Sequence, residues 1–203
     1  MITVIDLGIS NIGSVSKALR YIGIEHVVSD TPAKIRKADK IIFPGVGNFS
    51  EAVKRMESLR IRDILKERVL ANKVPLLGIC LGMQLLATYG EEGGGAKGLN
   101  FIKGRVMFHR ASQHGLRLPH IGWNEVDCRD IRLFDDINNK SCFYFVHSYE
   151  FITDEPVKVG YTNYGCDFVS VIQKDNIIGI QFHPEKSQKV GLKIFANFCK
   201  GKI

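Results

Sequence analysis

The stretch VPLLGICLGMQLL, residues 74–86, indicates where the centre of the fold lies. Its apolar first part, 74–79, is typical of a buried strand, and a helix is expected to begin near Leu81. Cys80 lies at the junction, where a side chain stands exposed above the sheet edge. The glycines two residues before and after it leave room for a sharp backbone turn, as in the serine nucleophile elbow. Because a helix N-terminus favours negative charge, the pattern predicts a nucleophilic thiolate at Cys80.

Predicted strands and helices alternate on the N-terminal side of this stretch. Strands are predicted at 2–5, 26–29 and 40–43, and helices over 11–22, from Thr31-Pro32, and over 50–56 and 61–70. Apolar strands that alternate with helices indicate a parallel sheet covered on both faces.

The C-terminal half is richer in short strands. They are predicted at 105–109, 125–128, 142–146, 157–162, 168–173 and 177–182, before a last helix over 187–199. Turn residues between these strands favour an antiparallel portion. The predicted fold class is therefore α/β, with one domain over residues 1–203. Its central mixed, largely parallel sheet would be flanked by helices and extended by the antiparallel portion.

Composition excludes several classes of protein. The 28 Lys and Arg residues exceed the 21 Asp and Glu residues, but they are dispersed, which favours a solvated surface over a nucleic-acid interface. No apolar run approaches the ~20 residues that span a bilayer, and no signal-peptide pattern is found, so we expect a cytoplasmic protein without membrane contact. The five cysteines show no spacing typical of disulfides or zinc. We therefore expect no metal and no cofactor.

A second motif, FHPEKS at residues 182–187, supplies what a cysteine nucleophile lacks. His183 would act as general base, and Glu185, two residues on, would orient and stabilise the imidazole. A lone buried cysteine is more often structural, but the predicted elbow together with this His-x-Glu pattern favours a catalytic Cys80.

These motifs resemble those of class I, triad-type glutamine amidotransferases, and most closely those of the glutaminase subunits of imidazole glycerol phosphate synthases. The similarity runs from end to end, through VIDLGISNIGSV, PGVGNF, GICLGMQLL, PHIGWNEV, FVHSY and QFHPEKSQ. It implies hydrolysis of L-glutamine to L-glutamate and ammonia. It also implies a heterodimer with a (β/α)8-barrel cyclase, which would use the ammonia to make imidazole glycerol phosphate and AICAR in histidine biosynthesis.

The resemblance also implies further site residues. The oxyanion of the tetrahedral intermediate would be bound by the backbone N–H of Leu81, just past the nucleophile, and by one from Val46 or Gly47 in the PGVG loop. This loop can point away from the substrate in the resting state of the family, although PGVG alone also fits an ordinary turn. The implied substrate-binding residues are Gly45, Gln84, Glu92, Ser148 and Tyr149; Glu92 would otherwise be a solvated loop residue.

The side turned toward the cyclase would include five residues by resemblance: His120, Trp123, Asn124, Tyr144 and Lys186. Trp123, the only tryptophan of the chain, fits a core position about as well as an interface anchor.

One segment departs from the family pattern and leaves an alternative open. Residues 6–11 read DLGISN, whereas members from the histidine pathway are closer to Asp-Tyr-Gly-x-Gly-Asn. The alternative is a paralogous glutaminase that supplies ammonia to a sugar amidotransferase of surface polysaccharides. A non-catalytic binding relative of the fold is a further alternative, which the presence of Cys80 and His183 disfavours.

Overall fold

The computed structural model describes residues 1–201, which form thirteen strands and six α-helices. The strands are β1 Ile2–Ile5, β2 His26–Ser29, β3 Lys40–Gly45, β4 Leu76–Cys80, β5 Tyr89–Gly90, β6 Ala96–Lys97, β7 Gly104–Phe108, β8 His120–Val126, β9 Ser141–His147, β10 Tyr149–Thr153, β11 Lys158–Asn163, β12 Asp167–Lys174 and β13 Ile177–Ile180. The helices are α1 Ile12–Tyr21, α2 Pro32–Ile35, α3 Phe49–Ser58, α4 Arg62–Lys66, α5 Leu81–Gln84 and α6 Gln188–Lys200. None of these helices, over the residues described, is long and apolar enough to cross a membrane.

Eleven strands form one mixed sheet in the order β2-β1-β3-β4-β13-β12-β10-β7-β5-β6, with β11 paired to β12. The strands from β2 to β13 in this order are parallel, and β12 begins an antiparallel part. The predicted α/β fold with a mixed sheet and an antiparallel portion is confirmed. Strand β4 lies between β3 and β13, so the residues at the end of β4 have a neighbouring strand on each side.

Alternate side chains of the parallel strands pack into two apolar clusters, one on each face of the sheet. On β4, Leu76 belongs to the cluster covered by α3 and α4, whereas Leu77 and Ile79 belong to the cluster covered by α1 and α6. Burial on both faces explains why these strands read as continuous apolar runs.

Polar caps fix where the helices next to the site begin. The Asn11 side chain accepts from Ser14 N at the start of α1, and Asn48 accepts from Glu51 N at the start of α3. These contacts satisfy backbone donors that have no partner inside the helix. The start of α3 is thereby fixed directly after the PGVG loop.

Strands β8 and β9 form a separate two-stranded antiparallel sheet, which we call the ribbon. Because side chains alternate along a strand, one face of the ribbon packs on the core and the other carries Ile121 and Trp123. These two side chains are 60% and 47% exposed. The ribbon therefore presents an apolar outer face.

Candidate active site

Cys80 lies at the junction of β4 and α5 in a strained conformation. Its φ of 53° and ψ of −111° lie in a region that L-residues rarely adopt, and such strain is often concentrated at functional sites. The two nearby glycines are required by close packing. A Cβ on Gly82 would lie 1.7 Å from Phe43 O, and one on Gly78 would lie 2.7 Å from Gly82 O. The sharp turn predicted from the sequence is therefore present.

His183 and Glu185 form a buried pair at the 3-10 turn Pro184–Lys186. His183 Nδ1 lies 2.8 Å from Glu185 Oε1. Nε2 is therefore the ring nitrogen that remains for other contacts. Nε2 is buried and has no hydrogen-bond partner among residues 1–201. In sites without a bound substrate, a predicted general base is often found without a hydrogen bond to its nucleophile.

The charge balance at this pair favours an imidazolium. Burial opposes the charged form, but interactions with Cys80 and with the Glu185 carboxylate outweigh it and raise the pKa of His183 to about 10. The imidazolium form of His183 is therefore favoured at neutral pH.

Cys80 and His183 open into one small cavity of about 150 Å³. Its other lining residues come from four separate segments: Val46, Gly47, Leu81, Gln84, Glu92, Val146, His147, Ser148 and Tyr149. The volume is below the ~300–1,000 Å³ typical of sites for drug-sized ligands, so it suits a molecule the size of an amino acid. Nearly all of the catalytic, oxyanion and substrate residues predicted from the sequence thus meet in one place.

Gly45 is the predicted substrate residue that does not line this cavity. It pairs with Cys80 across β3 and β4, and a Cβ on it would lie 3.0 Å from Leu81 Cβ. A glycine at position 45 therefore allows close packing of β3 against the turn that carries Cys80.

Gln84 is buried and its amide nitrogen is already engaged. Nε2 donates to Tyr149 O at 3.2 Å and to Gln181 Oε1 at 3.0 Å, which uses both of its hydrogens. Only Oε1 of Gln84 is left for a ligand in the cavity.

Glu92 connects the cavity to the start of α3. Its Oε2 accepts from Phe49 N at 2.9 Å, and its carbonyl accepts from Ser50 Oγ at 2.7 Å. Burial raises the pKa of Glu92, although the Phe49 N–H partly offsets this effect. Glu92 is therefore an ordered, half-buried carboxylate at the cavity and not a solvated loop residue.

In the PGVG loop, one of the predicted oxyanion donors is already hydrogen-bonded to another residue. Val46 N donates to Ile9 O at 3.3 Å, and Ser10 Oγ donates to Pro44 O at 3.0 Å. Gly47 has a φ of 98°, which a side chain would disfavour. Leu81 begins α5 directly after Cys80, so its N–H is among those without an acceptor inside the helix.

Four of the five predicted interface residues lie on the two faces of the ribbon, and the fifth, Lys186, lies in the neighbouring turn Pro184–Lys186. Trp123 and Tyr144 lie opposite each other on the outer face, with ring centroids 6.1 Å apart, and Lys186 Nζ lies 5.3 Å from the Tyr144 ring centroid. His120 is instead buried beneath the ribbon, and Asn124 next to it donates to Asn163 O. The side chain of His120 is thus placed inside the protein, where it hydrogen-bonds to His147.

Two buried residues near Cys80 were not assigned a role from the sequence. Gln181 Nε2 lies 3.6 Å from Cys80 Sγ, and His147 lines the cavity while its Nδ1 contacts Tyr149 O at 2.9 Å. Both lie inside recognised motifs, QFHPEKSQ and FVHSY, so motif membership is the signal that could have singled them out.

One group in residues 1–201 brings metal-ligating side chains together: His109, Glu150 and Cys166. Two of its members already make hydrogen bonds, because Glu150 accepts from the Arg110 guanidinium at 2.8 and 2.9 Å and His109 Nδ1 accepts from Ala111 N. This group thus serves as an internal ion-pair network.

Comparison with known proteins gives results that agree with this geometry. A family model described as glutamine amidotransferase class-I matches residues 3–201. The chain is 45% identical over 201 residues to "Imidazole glycerol phosphate synthase subunit HisH 1" of Campylobacter jejuni, covering 98% of this chain and 100% of that protein. It is 46% identical to "Imidazole glycerol phosphate synthase subunit HisH" of Methanocaldococcus jannaschii, covering 98% of this chain and 99% of that protein.

Solved structures share the fold at low sequence identity. One, the "Crystal structure of glutamine amidotransferase", has a TM-score of 0.76 at 18% identity and covers 98% of this chain and 97% of its own. Another, a glutamine amidotransferase from Thermotoga maritima, has a TM-score of 0.68 at 17% identity and covers 96% of this chain and 80% of its own.

Proposed function

The chain belongs to the glutamine amidotransferase class-I family, and we propose that it is the glutaminase subunit of an imidazole glycerol phosphate synthase. It would release ammonia from L-glutamine in the cytoplasm and pass it to a (β/α)8-barrel cyclase subunit in a heterodimer. The observation that carries the chemistry is the single cavity lined by Cys80, His183 and Gln84. The full-length similarity to subunits of that name supports the pathway.

The proposed reaction proceeds through a covalent thioester. The Cys80 thiolate attacks the side-chain amide carbon of glutamine, and the imidazolium of His183 protonates the leaving ammonia. Neutral His183 then takes a proton from water, which attacks the γ-glutamyl thioester and releases glutamate and the thiolate. Glu185 holds Nδ1 throughout, which keeps Nε2 directed at the reacting atoms.

The oxyanion site would be completed only when the PGVG loop changes conformation. Leu81 N–H can supply one donor, whereas Val46 N–H is bonded to Ile9 O in the present conformation. A peptide next to a glycine with positive φ can reorient at little steric cost. A partner that binds the reoriented loop more tightly would therefore raise the population of the active form.

Such coupling has a chemical purpose. Ammonia released into water is protonated and loses its nucleophilicity, so an uncoupled glutaminase would waste glutamine. The outer face of the ribbon is suited to binding the partner, because Trp123 is half exposed and Tyr144 with Lys186 lies beside it. Aromatic side chains of this kind often anchor interfaces.

The test is glutamate release by the purified chain, measured across a titration of a histidine-type cyclase subunit with its acceptor ligand present. Strong activation by this cyclase is the expected result. Activation only by the cyclase-like partner of a sugar amidotransferase would move the function to the surface-polysaccharide alternative. A titration without any glutamate release would favour the non-catalytic alternative.

A further inference from the structure

Gln181 is a fully buried polar residue in contact with the nucleophile. It follows β13 directly, and the β13–β4 pairing brings it beside Cys80, 101 positions earlier in the chain. Its Nε2 lies 3.6 Å from Cys80 Sγ, and its backbone N donates to Ser170 O. The mechanism described above gives this side chain no role.

The orientation of the Gln181 amide follows from its neighbours. Tyr149 O is a backbone carbonyl and can only accept, so the Gln84 atom that contacts it must be the nitrogen, Nε2. The same Nε2 contacts the Gln181 side chain, which must therefore present its oxygen there. The Gln181 nitrogen is consequently the atom that faces Cys80 Sγ, and it can only donate.

We propose that Gln181 is a catalytic residue of the glutaminase, whose amide N–H donates to the Cys80 sulfur and stabilises the attacking thiolate. The inference rests on the proposed function, since it assigns a role within that reaction. Gln181 transfers no proton: the thiol proton goes to His183, the electron pair stays on sulfur, and the amide donates a hydrogen bond to the resulting charge.

The other polar contact of the sulfur cannot take this role. Val146 O lies 3.9 Å from Sγ, and a carbonyl oxygen can pair only with the protonated thiol. The amide of Gln181 has the opposite preference, because a hydrogen bond from a donor is stronger to an anion than to a neutral group. Among the side-chain amides described, Gln181 is the one that contacts Sγ and favours its ionised form.

A second consequence concerns the substrate. Since the Gln181 oxygen and Tyr149 O use both hydrogens of Gln84 Nε2, Gln84 Oε1 is the atom left for the cavity. Loss of the Gln181 oxygen would free Gln84 to rotate. Removal of Gln181 should therefore affect both the nucleophile and the binding of glutamine.

The experiment compares Gln181→Met and the isosteric Gln181→Glu with the wild-type full-length chain. Iodoacetamide alkylation of the Cys80 peptide is followed by mass spectrometry as a function of pH. The exposed Cys142 in the same sample serves as internal reference. The matched control is Asn176→Leu, because Asn176 is a buried amide at the other end of β13 that donates to Val69 O and Val74 O.

We expect the midpoint pH of Cys80 alkylation to rise by about one unit or more in Gln181→Met, the effect of one hydrogen bond to a charged group. Gln181→Glu, which places a carboxylate beside the sulfur, should raise it further. Cys142 and the Asn176→Leu control should keep their midpoints. Circular dichroism identifies a misfolded variant. If Gln181→Met misfolds, the inference is tested by the midpoint pH of Cys80 alkylation in the isosteric Gln181→Glu.

Unchanged midpoints in both Gln181 variants, or an equal shift in Asn176→Leu, would overturn the inference. Glutamate release by the wild-type enzyme with its cyclase separates this outcome from a failure of the proposed function. If the wild type releases no glutamate but the midpoint shifts, the proposed function fails and the Gln181–Cys80 hydrogen bond stands.

Discussion

The backbone N–H of His183 donates to the carbonyl of Tyr144 at 2.8 Å, so the proposed base is joined to the ribbon by main-chain contact. Tyr144 N in turn donates to Ser187 Oγ, which donates to His183 O at 2.6 Å. These bonds hold β9 and the FHPEKS segment together as one unit. A partner that displaces the outer face of the ribbon would therefore act directly on the segment that carries the base.

Lys186 is the residue whose charge should matter most for this coupling. Its ammonium lies over the Tyr144 ring, and a cation–π contact at such an exposed position contributes about 0.5–1 kcal/mol of interaction energy. Lys186→Glu should weaken activation by the cyclase roughly two- to fivefold while basal hydrolysis falls less. Glutamate release at increasing cyclase concentration gives both quantities.

The control for this prediction is Lys189→Glu, which reverses the charge of an exposed lysine in the first turn of α6. Equal losses of activation in the two variants would indicate general electrostatics instead of a specific role of Lys186.

Loss of the His183 side chain should lower turnover more than loss of the Glu185 charge. His183→Ala removes the group that transfers the proton, a contribution of ~10²–10⁴-fold, so turnover should fall by that order. Glu185→Gln keeps a neighbour for Nδ1 at 2.8 Å and should cost less, because the carboxylate only orients and stabilises the imidazole. Steady-state turnover of both variants tests the assignment, and negligible effects from both would rule out the triad.

Ser10 is expected to hold the PGVG loop in its resting form. Its hydroxyl donates to Pro44 O beside the Val46–Ile9 bond, so Ser10→Ala removes one of two ties between these segments. Basal glutamate release by the isolated chain should rise roughly two- to tenfold, as expected for one net hydrogen bond.

Ser112→Ala serves as the control for Ser10→Ala, since the Ser112 hydroxyl also donates to a backbone carbonyl, that of His109. It should leave basal release unchanged. A basal rate in Ser10→Ala at or below that of the wild type would show that this contact does not restrain the loop.

The sequence predicted local features of the fold well because their causes are local. The elbow at Cys80 is signalled by the two glycines beside it, at positions where close packing tolerates no side chain. The strand that precedes it is signalled by a continuous apolar run, which reflects continuous burial. Strand β10 was not predicted, and α5 proved to be only four residues long. Neither feature has a strong periodic pattern in the sequence, since both are set by packing against neighbouring elements.

The features of the site that escaped prediction depend on contacts between distant segments. Gln181 meets Cys80 through strand pairing, and the Val46 bond to Ile9 depends on how two loops pack. His120 was predicted to face a partner, yet strand alternation turns its side chain inward. The spacing of residues along the sequence does not predict such contacts.

Buried histidines should make the protein sensitive to acid. Burial, reinforced by the charge of His109, lowers the pKa of His120 to about 4, and burial also lowers the pKa of His147. An unfolded histidine titrates near pH ~6.5, so the unfolded state binds more protons between these values. The contribution of these two histidines to the free energy of unfolding should thus be fully present above pH ~6.5 and decline as the pH falls toward 4.

The variant His120→Gln tests this account of acid sensitivity. In urea unfolding measured from pH 7 to 4, the slope of the free energy of unfolding against pH should be smaller in this variant. The difference should reach up to about 1.4 kcal/mol per pH unit, which corresponds to one proton. His114→Gln, at an exposed position, is the control. If the slope of His120→Gln equals that of the wild type, protonation of His120 does not limit stability in acid.

Covalent labelling is the strongest test of whether Cys80 attacks the side-chain carbon of glutamine. The assembled enzyme is treated with an electrophilic glutamine analogue, and the adduct is located by peptide mass spectrometry while glutaminase activity is followed. We predict one adduct per chain on Cys80, none on the other four cysteines, loss of activity in proportion, and no labelling in Cys80→Ala. Inactivation with the adduct on any other residue, or full inactivation without an adduct at Cys80, would contradict the account.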